Sequence, residues 1–157
     1  MFRLKIRAIG HPTEPWQKEA VDSYVHRSKT ASLIEVIELP EGQKGSAKPD
    51  PVKTAKIEAE SLRKGIPEDA FVVALDETGK ELDSPTFAAK LLEWGANGRT
   101  VVFLIGGSWG LDPSVRDRAD VVLSLGKLTL PHNLARIVLA EQLYRAGAIV
   151  QGKTYHK

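Results

Sequence analysis

The sequence has no cysteine among its 157 residues, which excludes disulfide bonds and thiolate metal sites. A chain without cysteine suits a reducing compartment, and we therefore expect a cytoplasmic protein. Long apolar runs are also missing, because no stretch approaches the roughly 18 residues of a membrane span. Charged residues interrupt the N-terminal stretch MFRLKIRAIG, which does not have the pattern of a signal peptide. We therefore expect no membrane partner.

A strong net charge is absent as well. The formal charge of +2 at pH 7 is too small to indicate nucleic-acid binding by itself. The charge is unevenly distributed, however, because residues 1–13 and 142–157 contain basic residues and no acid. These basic residues are Arg3, Lys5, Arg7 and His11 at the start and Arg145, Lys153, His156 and Lys157 at the end. If both ends of the chain lie on one face of the fold, these residues would form a basic patch that attracts phosphate groups. If the ends lie apart, they would be ordinary solvated termini.

What the sequence does contain is an alternation of strand and helix patterns. The runs FVVAL (71–75), TVVFLI (100–105) and DVVLSL (120–125) are almost wholly apolar, which is typical of strands buried on both faces of a sheet. Further strands are predicted over 4–10 and 32–39. Helices are predicted after a cap at Thr13, over 52–65, from a cap at Ser84 to Gly95, after Asp112 and from about Pro131 to Ala146. We therefore predict one α/β domain over residues 1–157, with a mainly parallel sheet flanked by helices.

Three of the predicted strands end in loops of unusual composition. Leu75 leads into DETGKELDS, Ile105 into GGSWG, and Leu125 into GKLTLPH. Because ligands of parallel α/β sheets bind beyond the carboxyl ends of the strands, these loops form the candidate pocket. GGSWG has neither the spacing of a dinucleotide fingerprint nor that of a P-loop, and a simple tight turn is the alternative interpretation.

Several polar residues of these loops have more than one interpretation. Asp76, Glu77 and Asp83 can serve acid/base chemistry or bind ribose hydroxyls, or they can belong to a solvated loop. Thr129 and His132 are candidate helix caps as well as candidate site groups, and we expect His132 to order the loop before the last helix. The histidines lack metal-binding spacing, so we predict no metal site.

The runs IGGSWGLDPSVRDRAD and LSLGKLTLPHNLARIVLAEQLYRA, followed by the final GKTYHK, resemble the bacterial ribosomal RNA large subunit methyltransferase H family of the SPOUT class. MFRLKIRAIG resembles the first strand of that family and VVALDETGKELDS its first cofactor loop, so the resemblance covers essentially the whole chain. It implies a C-terminal trefoil knot and a homodimer paired through the knot region. It also implies methyl transfer from S-adenosylmethionine to N3 of a pseudouridine in a stem-loop of 23S rRNA within the assembled ribosome.

The resemblance also assigns candidate roles to individual residues. Cofactor contacts are implied for Leu75, Gly106, Leu125, Gly126, Lys127, Leu128, Thr129 and Leu130. His156 becomes a candidate proton acceptor, and Tyr155 a candidate for stacking on or hydrogen-bonding the base. Arg145, Lys157 and His11 are candidates for contact with RNA. Two of these positions depart from the common pattern, since Gly126 stands where many relatives have serine and His11 where lysine is frequent.

Two other classes of function fit parts of the sequence. The same knot could serve a catalytically silent RNA- or ribosome-binding protein, which cofactor binding would distinguish from an enzyme. A nucleotide- or dinucleotide-binding oxidoreductase fits the α/β pattern but lacks the phosphate-binding fingerprint.

Overall fold

In the computed structural model, which describes residues 1–155, the strands form a five-stranded sheet. They are β1 (Phe2–Ile9), β2 (Ser32–Leu39), β3 (Phe71–Glu81), β4 (Thr100–Ile105) and β5 (Val121–Ser124). Their order across the sheet is β2-β1-β4-β3-β5, and each adjacent pair is parallel. The predicted α/β fold with a mainly parallel sheet is confirmed.

The helices cover both faces of this sheet. They are α1 (Pro15–Arg27), α2 (Pro51–Arg63), α3 (Ser84–Trp94), α4 (Pro113–Arg118) and α5 (His132–Val150). One core joins the sheet to α3 and α5, through residues such as Phe87 and Leu139. A second core joins the other face to α2 and α4, through residues such as Leu62 and Val115. Successive side chains of a strand point to opposite faces, so Phe103 lies in the first core and Leu104 in the second.

An aspartate cap and a proline start three of the helices. Asp50, Asp83 and Asp112 accept the backbone N–H groups of Lys53, Thr86 and Ser114, at 2.7, 2.8 and 3.0 Å respectively. The prediction that Ser84 caps α3 was wrong by one residue, and its hydroxyl is free for another contact described below. Thr13 was also expected to act as a cap, but the capping position of α1 is Glu14, which Pro15 restricts to extended backbone.

Arg7 does not belong to a basic surface patch. Its side chain is buried, and its guanidinium donates to the backbone oxygens of Ser61, Leu62 and Lys64 at the C-terminal end of α2, over 2.7–3.0 Å. These are carbonyls that the helix itself leaves unpaired. Lys5, in turn, pairs with Glu35 at 2.9 Å. The N-terminal part of the anticipated patch is therefore smaller than the sequence indicated.

β3 is longer than predicted because its chain crosses β5. Leu75 and Lys80 both pair with Leu123, so residues 76–79 form an arch between two stretches of paired strand. Gly79 passes so close to β5 that a Cβ atom there would lie 2.7 Å from the carbonyl carbon and oxygen of Val122. Only glycine fits this crossing without displacing one of the two backbones.

α5 is longer than predicted as well, ending at Val150 rather than near Ala146. It continues through Gly147, where a Cβ atom would lie 2.8 Å from Cβ of Ala31. The close contact with the turn after α1 (Ser28–Thr30) compensates for the low helix propensity of glycine. Within the described residues, no helix combines the length and apolar character needed to cross a bilayer.

Candidate cofactor and catalytic site

The three candidate loops meet at one edge of the sheet. β3 lies between β4 and β5, with Ala74 paired to Leu104 and Leu75 paired to Leu123. Because all three strands are parallel, the segments that follow Ile105 and Ser124 leave the sheet at the edge where the arch after Leu75 lies. The structure therefore brings together the neighbourhoods of the predicted cofactor residues.

The glycines after β4 form a tight backbone turn. Gly107 and Gly110 pair with each other, and a Cβ atom on Gly106 would lie 2.8 Å from the carbonyl oxygen of Gly110. Beneath the turn lies the buried carboxylate of Glu58, which accepts the N–H of Gly42 at 3.1 Å. Burial raises the pKa of Glu58. GGSWG therefore forms a tight turn, and Gly106 is fixed within it.

The loop after β5 turns sharply at Gly126. Its φ angle of 136° lies in a region that side-chain-bearing residues rarely adopt. The hydroxyl of Ser124 donates to the carbonyl oxygen of Gly126 at 2.8 Å and accepts its N–H at 3.1 Å, which holds the turn closed. Beyond the turn Leu128 exposes 82% of its surface, and Lys127 and Thr129 are also exposed.

The acids of the arch after Leu75 make structural contacts. Asp76 accepts both the backbone N–H and the hydroxyl of Thr78, at 2.9 and 2.5 Å, and lies 3.5 Å from Arg116. Glu77 accepts the hydroxyl of Thr129 at 2.9 Å, which links the arch to the loop after β5. These contacts support the interpretation of Asp76 and Glu77 as loop-ordering groups over that of an acid/base pair.

A cleft of about 630 Å³ lies between the loop after β5, the start of α3 and the middle of α5. Its lining includes Asp83, Ser84, Leu125, Gly126, Val138 and Gln142. Two of the eight predicted cofactor residues, Leu125 and Gly126, therefore line it directly. Small-molecule sites of about 300–1,000 Å³ with mostly apolar walls and a few polar groups are typical of proteins. The cleft is the best-formed candidate for a cofactor site at this edge.

A chain of hydrogen bonds leads from the cleft to the C-terminal segment. Ser84 Oγ donates to Gln142 Oε1 at 2.6 Å, and Gln142 Nε2 donates to Glu141 Oε2 at 2.6 Å. The other oxygen of Glu141 accepts two bonds from Arg145, at 2.7 and 3.1 Å, and the hydroxyl of Tyr155 at 3.3 Å. Arg145, a candidate RNA contact, is thus paired within its own helix.

Tyr155 packs against α5. Its ring centroid lies 4.7 Å from that of Tyr144, edge to face, and 4.8 Å from the guanidinium carbon of Arg145. Burial is the main cause that raises the pKa of Tyr155, so its phenol stays protonated at neutral pH. His156 and Lys157, the other tail candidates, lie outside the described residues.

His11 and His132 belong to a polar cluster at the ends of β1 and β2. His11 pairs with Glu38, whose other oxygen lies 3.2 Å from the buried guanidinium of Arg136. Arg136 also donates to the carbonyl of Gly10 at 3.0 Å. His132 packs over Gly10, where a Cβ atom would lie 3.3 Å from its Nε2. That it orders the loop before α5 stays a prediction. It does not cap the helix, since the N-cap of α5 is Pro131, without a side-chain cap.

Sequence reasoning missed several residues that organise this region. They are Ser124, Arg136, Glu58, Glu141 and Gln142. The spacing of Glu141 and Arg145 is a readable signal, because an acid four residues before a base pairs along a helix. Ser124 bonds to Gly126, two residues further on, whereas Arg136, Glu58 and Gln142 make contacts across long sequence separations and had no local signal. Among the described residues, no group of three metal-ligating side chains is arranged to hold an ion.

Comparison with known proteins extends these observations over the whole chain. Residues 2–156 match a family described as "Predicted SPOUT methyltransferase". A protein of Paraburkholderia xenovorans named "Ribosomal RNA large subunit methyltransferase H" is 41% identical over 158 residues, covering 99% of each chain. Proteins of the same name from Burkholderia thailandensis and Paraburkholderia phymatum are 41% and 40% identical, again over 99% of each chain. With a match from end to end, this chain belongs to the SPOUT methyltransferase family.

Proposed function

We propose that this protein is an S-adenosylmethionine-dependent methyltransferase that modifies N3 of a pseudouridine in a stem-loop of 23S rRNA. The observation that carries the proposal is the 41% identity over 99% of both chains with a ribosomal RNA large subunit methyltransferase H. Among the segments that carry the resemblance, the loop after β5 and the last helix both contribute to the lining of the cleft. Because the substrate is ribosomal RNA, we also propose that the protein works in the cytoplasm.

The cleft fits the proposed cofactor. Gly126 exposes backbone where a side chain would otherwise stand, while Leu125 and Val138 offer apolar surface suited to an adenine ring. We assign the cofactor to this cleft and to the adjoining loop of residues 127–130, with Leu75 and Gly106 supporting it from the neighbouring strands. When bound, S-adenosylmethionine supplies a methyl group that its positively charged sulfur makes electrophilic.

The protein's own part in the reaction is alignment and proton removal. Methylation at N3 requires that the base lose its N3 proton and approach the methyl carbon in line. We propose that His156 accepts the N3 proton. We propose that Tyr155 orients the base, because its protonated phenol can stack on the base or donate a hydrogen bond to it. Arg145, Lys157 and His11 are the proposed contacts with RNA phosphates.

A homodimer and a knot belong to the same proposal. Along α5, Leu134 exposes 37% of its surface, and Ile137 is only partly covered. A second copy packed on this apolar stripe would bury it. The support for the knot is the match of residues 2–156 to the SPOUT methyltransferase family.

The proposal is tested by transfer of radiolabelled methyl groups from S-adenosylmethionine. Intact ribosomes, isolated large subunits and naked rRNA, all from cells lacking the endogenous enzyme, serve as substrates. Label on intact ribosomes that maps to one pseudouridine supports the full proposal. Cofactor binding without label on any substrate would refute the rRNA assignment, and the absence of both would favour a catalytically silent RNA-binding protein.

The tail assignment has its own test. His156→Ala is expected to lower turnover by about 100-fold, as expected for loss of a general base. The cofactor Kd should stay nearly the same, because the cleft residues are unchanged. Wild-type turnover in this variant would remove His156 from the mechanism while leaving the rRNA assignment intact.

A further inference from the structure

The chain has three tyrosines, and all of them surround one arginine. The guanidinium carbon of Arg27 lies 4.3 Å from the ring centroid of Tyr144 and 5.4 Å from the centroids of both Tyr24 and Tyr155. Cations within about 6 Å of an aromatic centroid are attracted by the negative face of the ring. We call this group of four residues the tyrosine clasp.

The clasp joins three separate parts of the chain. Arg27 and Tyr24 belong to α1, Tyr144 belongs to α5, and Tyr155 belongs to the segment that follows α5. Tyr155 therefore reaches α1 through Arg27, although the two residues are far apart in sequence. Within the described residues, Arg27 is the cation that lies over the rings of all three tyrosines.

Further bonds fix the same segment against the turn after α1. Gln151 Nε2 donates to the backbone oxygen of Thr30 at 2.8 Å, and Lys153 Nζ donates to its hydroxyl at 3.1 Å. The backbone N–H of Lys153 donates to the backbone oxygen of Ala148 at 2.9 Å, just beyond the end of α5. Tyr155 is thus held at the end of a segment that is already anchored, and Arg27 completes the arrangement from the side of α1.

We propose that Arg27 is a positioning residue for the methyl transfer, because it holds the ring of Tyr155 in place. This inference rests on the proposed function, in which Tyr155 and His156 act on the base. We give Arg27 no role in binding the cofactor, because it lies on α1 and its ring contacts within residues 1–155 are all outside the cleft lining.

The experiment compares three variants of the full chain. Arg27→Met removes the charge and keeps much of the length of the side chain, whereas Arg27→Lys keeps a cation over the rings. Lys29→Met is the control, because it removes a nearby exposed cation that makes no ring contact in the described structure. Incorporated fluorotyrosine reports only on the clasp, because every tyrosine of the chain belongs to it. Tyr155→Phe identifies the resonance of Tyr155. Turnover, KM for the ribosomal substrate and the cofactor Kd are measured alongside.

We expect Arg27→Met to move the Tyr155 resonance and to lower kcat by about 10- to 100-fold, as expected for misplaced reacting groups. The cofactor Kd should be nearly unchanged, Arg27→Lys should restore much of the rate, and Lys29→Met should resemble the wild type. An unmoved Tyr155 resonance would overturn the positioning role. So would a moved resonance with wild-type kcat, provided that His156→Ala and Tyr155→Phe are impaired. If those two tail variants are fully active, the tail mechanism itself has failed and the inference fails with it.

Discussion

Gln142 and Glu141, adjacent on α5, connect the cleft to the C-terminal segment: Gln142 donates to Glu141 at 2.6 Å. Gln142 also accepts the hydroxyl of Ser84 at the cleft wall, and Glu141 accepts that of Tyr155. The carboxylate of Glu141 therefore faces a cleft-lining group on one side and a proposed catalytic residue on the other. These hydrogen bonds form one continuous connection between the wall of the cleft and Tyr155.

Replacing Glu141 with glutamine should impair turnover more than cofactor binding. Glutamine keeps the size of the side chain but removes the charge that holds Arg145 and weakens the contact with Tyr155. We expect kcat to fall by about 10- to 100-fold with little change in the cofactor Kd. Methyl-transfer kinetics and calorimetric titration measure the two quantities.

Glu93→Gln is the matched control for this change. Glu93 is an exposed glutamate of α3 that pairs with Lys90, so its variant loses a comparable surface ion pair away from the tail. Equal effects of the two substitutions on kcat would contradict a specific role for Glu141.

Gly126→Ala should weaken the cofactor site and the fold together. At a φ angle of 136° a side chain strains the backbone, at a cost of about 1–3 kcal/mol in the free energy of unfolding. Relief of that strain would alter the turn that lines the cleft. Urea denaturation measures the stability, and titration with S-adenosylmethionine measures the expected rise in Kd.

Gly65→Ala separates the two effects. Gly65 also has a positive φ, 77°, in open space and after α2, so alanine there should destabilise the fold without changing the cofactor Kd. A cofactor Kd that rises equally in both variants would mean that Gly126 affects binding only through global stability.

Gly79→Ala should be more damaging than a strained turn. Its Cβ atom would overlap the backbone of Val122 at 2.7 Å, and neither chain can move without disturbing the pairing of β3 with β5. We expect a loss of about 3 kcal/mol in the free energy of unfolding, the upper end of the usual range for overpacking. Gly45→Ala provides the comparison, because that glycine has a positive φ but open space around it. Similar denaturation midpoints for Gly79→Ala and Gly45→Ala would contradict the close contact between Gly79 and the backbone of Val122.

The stability of the fold should depend on pH through His132. Burial, and then the positive charge of Arg136, lower the pKa of His132 below its ordinary value of 6.5. Between the lowered pKa and 6.5 the unfolded chain binds more protons than the folded one, so the free energy of unfolding rises with pH across this window. Stability is therefore lost as the pH falls below 6.5 and through the folded-state pKa.

His132→Gln should flatten this part of the stability curve. Denaturation midpoints measured at closely spaced pH values below 7 would show the difference between the wild type and the variant. Parallel curves for the two proteins would mean that other groups cause the pH dependence.

The strands and loops that could be predicted from the sequence are those with a local signal. β2 and β4 match their predicted bounds because a run of apolar or alternating residues specifies a strand by itself. The strand-end loops could be grouped at one edge because parallel strands share a direction. The individual contacts of the loops, such as Thr129 with Glu77, could not be predicted, since they depend on which strands are neighbours.

For the predicted cofactor and RNA contacts too, part could be read from the sequence and part is visible only in the structure. The family resemblance identified the loops and the tail, and the structure adds that Leu125 and Gly126 line a cleft. It also pairs two proposed RNA contacts with acids, Arg145 with Glu141 and His11 with Glu38. Those pairings were not visible in the charge count, because a count does not say which charges neutralise each other.

By itself the sequence determined the alternation of strands and helices, the apolar core strands and the family, because these depend on local patterns and on motifs read in order. The tertiary structure decided the sheet order, the burial of Arg7 against α2, the crossing of Gly79 over Val122 and the gathering of three tyrosines around Arg27. Each of these joins residues far apart in the chain. Their free energy comes from packing and desolvation that exist only once the chain has folded.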